Sequence, residues 1–267
     1  MRIPTELGEL YVEDQGSGPT VLLWHSFLHH GGMWRPVVER LRERFRLLSV
    51  DGPGHGRSTA ARRPFDLDDC ARAAEKVLDA HKLDRAAVVG LSWGGMVALA
   101  LAARRSKRLS AIVAMDASAR PEPPINKLRY QAMGAVTRRI GVIPSLLDRI
   151  EPLFFSAHSL RERRAELVDP WRGYVARMDR ESITHGLGCI TERRDLTEEL
   201  RGSDVPALIL VGTEDRARPP ADSEHLAATI PGARLAFIPG AGHLSALERP
   251  DETTALLGEF LGRCASR

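Results

Sequence analysis

The sequence predicts an α/β fold: a mostly parallel, twisted sheet flanked by helices, with a helical cap inserted after the strand ending near Met115. Three observations carry that prediction. Short, continuously apolar runs alternate with amphipathic helical periods from Thr20 to Met115, as strands covered on both faces by helices require. A serine bracketed by glycines, Gly90-Leu91-Ser92-Trp93-Gly94, stands where one such strand turns into a helix. The strand and helix rhythm then breaks at Ala117 and resumes at Ala207.

The elements follow in order. Leu7 to Gln15 alternates, with Leu10 and Val12 on one side and Glu9, Tyr11 and Glu13 on the other, which reads as an edge strand before the Gly16-Ser17-Gly18-Pro19 turn. Thr20 to Trp24 is a covered strand, and Met33 to Phe45 has a helical period of apolar residues with charges outside. Arg46 to Val50 is the next strand and runs into Asp51-Gly52-Pro53-Gly54-His55-Gly56-Arg57-Ser58, which its glycines and proline keep irregular. Asp66 to Leu83 is a helix with acidic residues in its first turn, Ala86 to Gly90 a buried strand, Met96 to Ala103 a buried helix, and Leu109 to Met115 a strand. This repetition implies right-handed crossovers and places active groups at the strands' C-terminal ends.

Between Arg120 and about His185 no strand-like run occurs; prolines punctuate amphipathic segments such as Leu128–Ile140 and Ile143–Phe155. The expected organisation is a core of residues 1–119 and 186–267 with a helical cap, 120–185, lying over the site. Strand Ala207 to Gly212, helix Ala221 to Ala228, strand Ala233 to Ile238 and a last helix near Thr253 to Leu261 complete the core.

Bulk composition narrows the function classes. A chain of 267 residues, 43% hydrophobic and 27% charged, is long enough for one large α/β domain with an insertion. Its net charge is only +3 and its basic residues are scattered among 5% aromatics, so a nucleic-acid surface is not expected. Cys70, Cys189 and Cys264 are odd in number and lack metal spacing, which reads as reduced thiols in a cytoplasmic protein. Met1 to Glu6 has no signal-like pattern and no apolar run reaches membrane length, so neither export nor membrane association is expected. No metal or cofactor is expected, and a monomer or homodimer fits.

The chemistry centres on the strand-to-helix junction. The glycines at 90 and 94 let the chain turn within about one residue, and the following helix start offers free N–H groups and a positive dipole end to an anion. A bare Gly-x-Ser-x-Gly is a weak signal. A serine hydroxyl also needs a base held by a carboxylate. Asp215, in Gly212-Thr213-Glu214-Asp215, and His243, in Gly240-Ala241-Gly242-His243, both follow strands whose ends face the junction. Glu214 is an adjacent alternative acid, and Asp116, after the preceding core strand, is another.

Together, Gly90-Leu91-Ser92-Trp93-Gly94-Gly95, His25-Ser26-Phe27, the Asp51 to Ser58 loop, Gly212-Thr213-Glu214-Asp215 and Gly242-His243 resemble the α/β-hydrolase superfamily over nearly the whole chain outside the cap. The stretch from Gly212 to Pro250 is similar to the 3-oxoadipate enol-lactonase and small carboxylesterase branch. The resemblance implies Ser92 as nucleophile, His243 as general base and then acid, Asp215 as orienting carboxylate, and the Phe27 and Trp93 backbone N–H groups as oxyanion hole. It also implies that His25 braces the oxyanion turn and that Asp51 and His55 hold their loop. Where relatives have Gly and often Pro, this chain has Ser26 and Leu28, which leaves the Ser26 hydroxyl or a ring of His29 or His30 free to touch substrate. Phe154, Phe155, Trp171, Tyr174 and Met178 are cap candidates for the pocket wall.

Relatives that cleave carbon–halogen bonds or epoxides carry aspartate at the junction, and this chain has Ser92. The expected function is a serine hydrolase of a small-molecule ester or lactone. Two other readings stay open: a carbon–carbon bond hydrolase of the meta-cleavage-product type, and a non-catalytic small-molecule receptor on the same fold.

Overall fold

Among the residues described by the computed structural model, 1–61, 63–104 and 107–266, eight strands form one sheet in the order β1-β2-β4-β3-β5-β6-β7-β8. The strands are β1 (Arg2–Thr5), β2 (Gly8–Gln15), β3 (Thr20–Trp24), β4 (Arg46–Asp51), β5 (Ala86–Leu91), β6 (Leu109–Met115), β7 (Ala207–Gly212) and β8 (Arg234–Ile238). From β4 to β8 every neighbouring pair is parallel, and the two antiparallel pairs, β1–β2 and β2–β4, leave β2 alone running against the other strands. The centre is β5, Ala-Ala-Val-Val-Gly-Leu, buried at every position because helices cover both faces.

Two expectations need correction at the N-terminal side. Strand β2 keeps the anticipated alternation but is not the edge; β1 pairs outside it, with Arg2 opposite Tyr11 and Thr5 opposite Gly8. The helical period from Met33 to Phe45 resolves into a 3-10 turn, Gly31–Trp34, followed by α1 (Arg35–Leu41). Pro36, in the first turn of α1, lacks the N–H that an α-helix continued from upstream would need, so the α-helix starts there.

Helix α2 (Leu67–Ala80) begins at a reciprocal cap: Asp66 accepts the Asp69 N–H at 2.7 Å while the Asp69 carboxylate accepts the Asp66 N–H at 3.2 Å. Helix α3 (Trp93–Ala103) is buried throughout behind β5 and β6. After β6 come α4 (Pro124–Ile140), α5 (Pro144–Phe154), α6 (Ala157–Glu162), a π turn at Arg164–Val168, α7 (Asp169–Val175), α8 (Arg180–Thr191) and α9 (Thr197–Arg201). The expected seam at residue 185 falls inside α8, which is continuous. Helix α8 packs against α4 so closely that a Cβ on Gly134 would lie 2.8 Å from Leu187 Cδ2. The Leu196 N–H then reaches the Ala119 carbonyl at 3.0 Å, bringing the two ends of the helical segment together.

Beyond β7, α10 (Pro220–Thr229), the short α11 (Ser245–Glu248) and α12 (Pro250–Ala265) finish the chain. No helix among the described residues is long and apolar enough to cross a membrane.

Candidate active site

The junction between β5 and α3 is built on close approach. A Cβ at Gly90 would fall 2.0 Å from the Gly94 carbonyl group, and one at Gly94 would fall 2.1 Å from the Trp24 carbonyl oxygen. Only glycine fits either place. Between them Ser92 adopts φ 55° and ψ −110°, a conformation that costs an L-residue roughly 1–3 kcal/mol and persists only where the surroundings enforce it. Here the Ser92 N–H is held by the Met115 carbonyl at 2.7 Å. The Ser92 side chain is thereby turned toward a cavity over the C-terminal ends of the strands.

Two backbone donors are left without work beside it. Neither the Trp93 N–H, at the first position of α3, nor the Phe27 N–H, in the turn after β3, is given to an acceptor among the described residues. Gly94, by contrast, donates to the His25 carbonyl at 3.2 Å and so ties the junction to the Phe27 turn. His25 fixes that turn from inside: its Nε2 accepts the Gly52 N–H at 2.7 Å and its Nδ1 lies 2.7 Å from the Ser26 carbonyl. Asp51 anchors the adjoining loop, accepting the Gly31 and Arg57 N–H groups, each at 2.7 Å.

His243 enters the cavity from the loop after β8. Its Nδ1 lies 2.8 Å from Asp215 Oδ2, and both side chains are buried. With the Nδ1 proton committed to the carboxylate, Nε2 is the ring's acceptor. Asp215 Oδ1 accepts the Ala217 and Arg218 N–H groups at 2.8 and 2.9 Å, which fixes the carboxylate's orientation. The histidine loop is itself held: the Leu244 N–H bonds the Phe154 carbonyl at 3.1 Å, and the Phe154 ring meets the imidazole edge-on at 5.4 Å.

The other two acids are occupied. Asp116 accepts the Gly212 N–H at 2.8 Å and the Ser245 hydroxyl, while Glu214 is exposed and accepts the Ala157 N–H at 3.1 Å. Burial, followed by the neighbouring Asp215 charge, pushes the Asp116 carboxyl well above the usual carboxylate range. That disfavours the anion an imidazolium would need.

The cavity holds about 100 Å³ and is mostly apolar, walled by Phe27, Leu28, Ser92 and His243 from the sheet side and by Met133, Ile150 and Phe154 from the helical segment. Of the eight anticipated substrate or pocket-wall residues, Ser26, His29, His30, Phe154, Phe155, Trp171, Tyr174 and Met178, the structure brings only Phe154 to it. Ser26 is fully buried, its hydroxyl 3.4 Å from the Phe27 carbonyl and its N–H on the Met33 sulfur. The His29 Nδ1 accepts the His30 N–H at 2.9 Å, and its carbonyl accepts the Tyr174 hydroxyl at 3.2 Å. Tyr174 in turn accepts the Gly56 N–H at 2.9 Å, so it staples two loops rather than facing the cavity. Trp171 sits one layer back, with ring centroids 5.3 and 5.5 Å from those of Phe154 and Phe155. Tyr130 and Arg218 do line the cavity and were not anticipated. No local pattern marks them, since their placement depends on how α4 and the loop after β7 meet.

A family model described as alpha/beta hydrolase fold matches residues 19–250. The chain belongs to the α/β hydrolase family. A pimeloyl-[acyl-carrier protein] methyl ester esterase of Xanthomonas campestris pv. campestris is 32% identical to this hydrolase over 263 residues, covering 94% of this chain and 98% of its own. Among solved structures, a thermophilic esterase from Thermogutta terrifontis superposes with a TM-score of 0.92 at 29% identity, over 99% of this chain and 98% of its own. The enol-lactonase from Burkholderia xenovorans LB400 superposes with a TM-score of 0.88 at 31% identity, over 95% and 96%.

Proposed function

We propose that this α/β hydrolase enzyme cleaves a small-molecule carboxylic ester or lactone through an acyl-serine intermediate. The observation that carries the reading is His243, held by Asp215 at 2.8 Å and lining one largely apolar cavity with the strained Ser92. The similarity to an esterase and an enol-lactonase supports the bond type.

In this reading His243 Nε2 takes the Ser92 proton as Oγ attacks the substrate carbonyl. The uncommitted Phe27 and Trp93 N–H groups receive the tetrahedral oxyanion, and the dipole of α3 adds to their field. The imidazolium, held by Asp215, then protonates the leaving alkoxide. Water repeats the sequence on the acyl-enzyme, releasing the acid and restoring Ser92. The helical segment from α4 through α8 acts as a cap that keeps the cavity dry, and its inward residues select the acyl chain.

Mass spectrometry of the enzyme quenched during turnover of an ester and lactone panel tests this. An acyl adduct on Ser92, absent from Ser92→Ala, is expected; parental hydrolysis by Ser92→Ala would end the proposal. Running a coloured dienoate beside the esters separates carbon–carbon hydrolysis. A single turnover with retained product would instead mark a receptor.

A further inference from the structure

The Glu122 side chain, on the stretch between β6 and α4, is fully buried between two guanidiniums from distant parts of the chain. Arg193, past the end of α8, brings Nη1 to Oε2 at 2.8 Å, while its Nε and the same Nη1 donate to the Arg120 and Ile190 carbonyls at 2.8 and 2.6 Å. Arg218, on the loop after β7, pairs with both carboxylate oxygens. Burial opposes a charge here, yet the Arg218 and Arg193 guanidiniums hold the Glu122 carboxyl below the usual carboxylate range. It stays an anion.

The backbone end of Arg218 reaches the active site. Its N–H and that of Ala217 are the donors that fix Asp215 Oδ1, leaving Oδ2 to face His243. Among the described residues, the hydrogen bonds that tie residues 216–218 to a distant part of the chain are those of the Arg218 guanidinium with Glu122. Arg216 is exposed, Ala217 ends in a methyl, and Pro219 and Pro220 have no N–H to tie the stretch down. Apolar side chains of the same volume would serve stability as well as this ion cluster does. What the cluster adds is direction, because a guanidinium fork meets a carboxylate in few orientations.

We propose that Glu122 is a positioning residue for the hydrolysis: through Arg218 it fixes residues 216–218, and so keeps the Asp215 carboxylate turned toward the His243 imidazole. It rests on the hydrolase reading above. Glu122 does not line the cavity, so its loss acts on the acid rather than on the bound ester. A misdirected Asp215 would leave the imidazole free to turn and the imidazolium less stabilised. That cost falls on kcat rather than KM.

The test follows p-nitrophenyl acetate hydrolysis and, in parallel, the low-field proton resonance of the Nδ1–H that His243 shares with Asp215, assigned by its loss in Asp215→Asn. Glu122→Gln keeps the shape and removes the charge. Its kcat is expected to fall by about 10–100-fold with KM within about twofold, and the resonance to move upfield or vanish. In an Asp215→Asn background the same change should cost less than about twofold, since no carboxylate is left to aim. Arg193→Met, which spares the Glu122–Arg218 pair, should keep kcat within about twofold. Where Glu122→Gln does not fold, Glu122→Gln/Arg193→Met, which restores the cluster's parental net charge, carries the same measurements. Parental kcat in a folded variant, equal losses in both backgrounds, or an Arg193→Met loss as large as that of Glu122→Gln would overturn the positioning role while sparing the hydrolase reading. Failure of a fluorophosphonate to label Ser92 and of the parent to turn over would sink the hydrolase reading. In that case the resonance decides alone: shifted or lost in Glu122→Gln, it upholds Glu122 as the holder of Asp215, and unmoved it overturns this.

Discussion

Glu248 Oε1 accepts the Gly242 N–H at 2.9 Å, so the residue before His243 hangs from a carboxylate whose other oxygen holds the opposite wall. Oε2 takes the Ser156 N–H at 2.9 Å and the Ser159 hydroxyl at 2.6 Å, both at the start of α6. One buried side chain thus fixes the histidine loop and the helical segment relative to each other.

Truncating that carboxylate strands three buried donors. Glu248→Ala should cost roughly 2–4 kcal/mol in urea unfolding. It should also lower kcat on p-nitrophenyl acetate more than it raises KM, because the imidazole loses its support. Unchanged kcat in a folded Glu248→Ala protein would contradict this coupling.

Asp215 and Asp116 predict opposite kinetics. Asp215→Asn keeps the shape but removes the charge facing His243 and should lower kcat by about 10³–10⁴-fold, the scale seen when a triad carboxylate is neutralised. Asp116→Asn should cost less than about tenfold, since Asp116 bonds Gly212 and Ser245 rather than the imidazole. The reverse order, measured on purified folded variants, would reassign the acid.

Gly94→Ala should be destabilising by more than about 3 kcal/mol or abolish soluble expression. Its Cβ would meet the Trp24 carbonyl at 2.1 Å, and backbone on both sides leaves little room to yield. The midpoint of urea unfolding reads this directly.

Buried neutral histidines set a pH dependence of stability. Desolvation pushes the buried His55 down to about 4 and the half-buried His29 to about 3, and holds the buried His25 well below its ordinary value. Unfolded, such an imidazole takes its proton near 6.5, so on acidification the unfolded chain binds protons that the folded one refuses. Stability present above pH 6.5 is therefore lost as pH falls, for His55 alone by roughly 2 kcal/mol at pH 5. Comparing denaturation at pH 7 and 5 checks the slope, and His55→Asn should flatten it by that share.

Much of the sheet was legible because covered strands are written as local apolar runs. The β5–α3 junction was legible because its steric demand falls on residues 90 and 94, next to the serine they serve. Strand β1 escaped: four residues including Pro4 have no period of their own, and only pairing with β2 makes them a strand. Asp116 and Asp215 both follow core strands, and which one His243 meets is decided by a loop far along the chain. Trp171 and Tyr174 look as apolar in sequence as Phe154 does, but packing turns one behind it and the other toward Gly56. Arg218 acquires its meaning from Glu122, 96 positions away.

The backbone bond from Leu244 to Phe154 has a kinetic corollary. Phe154 is at once a wall against the bound chain and the anchor of the loop that carries the imidazole. Guests that crowd this ring will drag the proton acceptor out of alignment, so the fit of the acyl group will be felt in turnover and not in affinity alone.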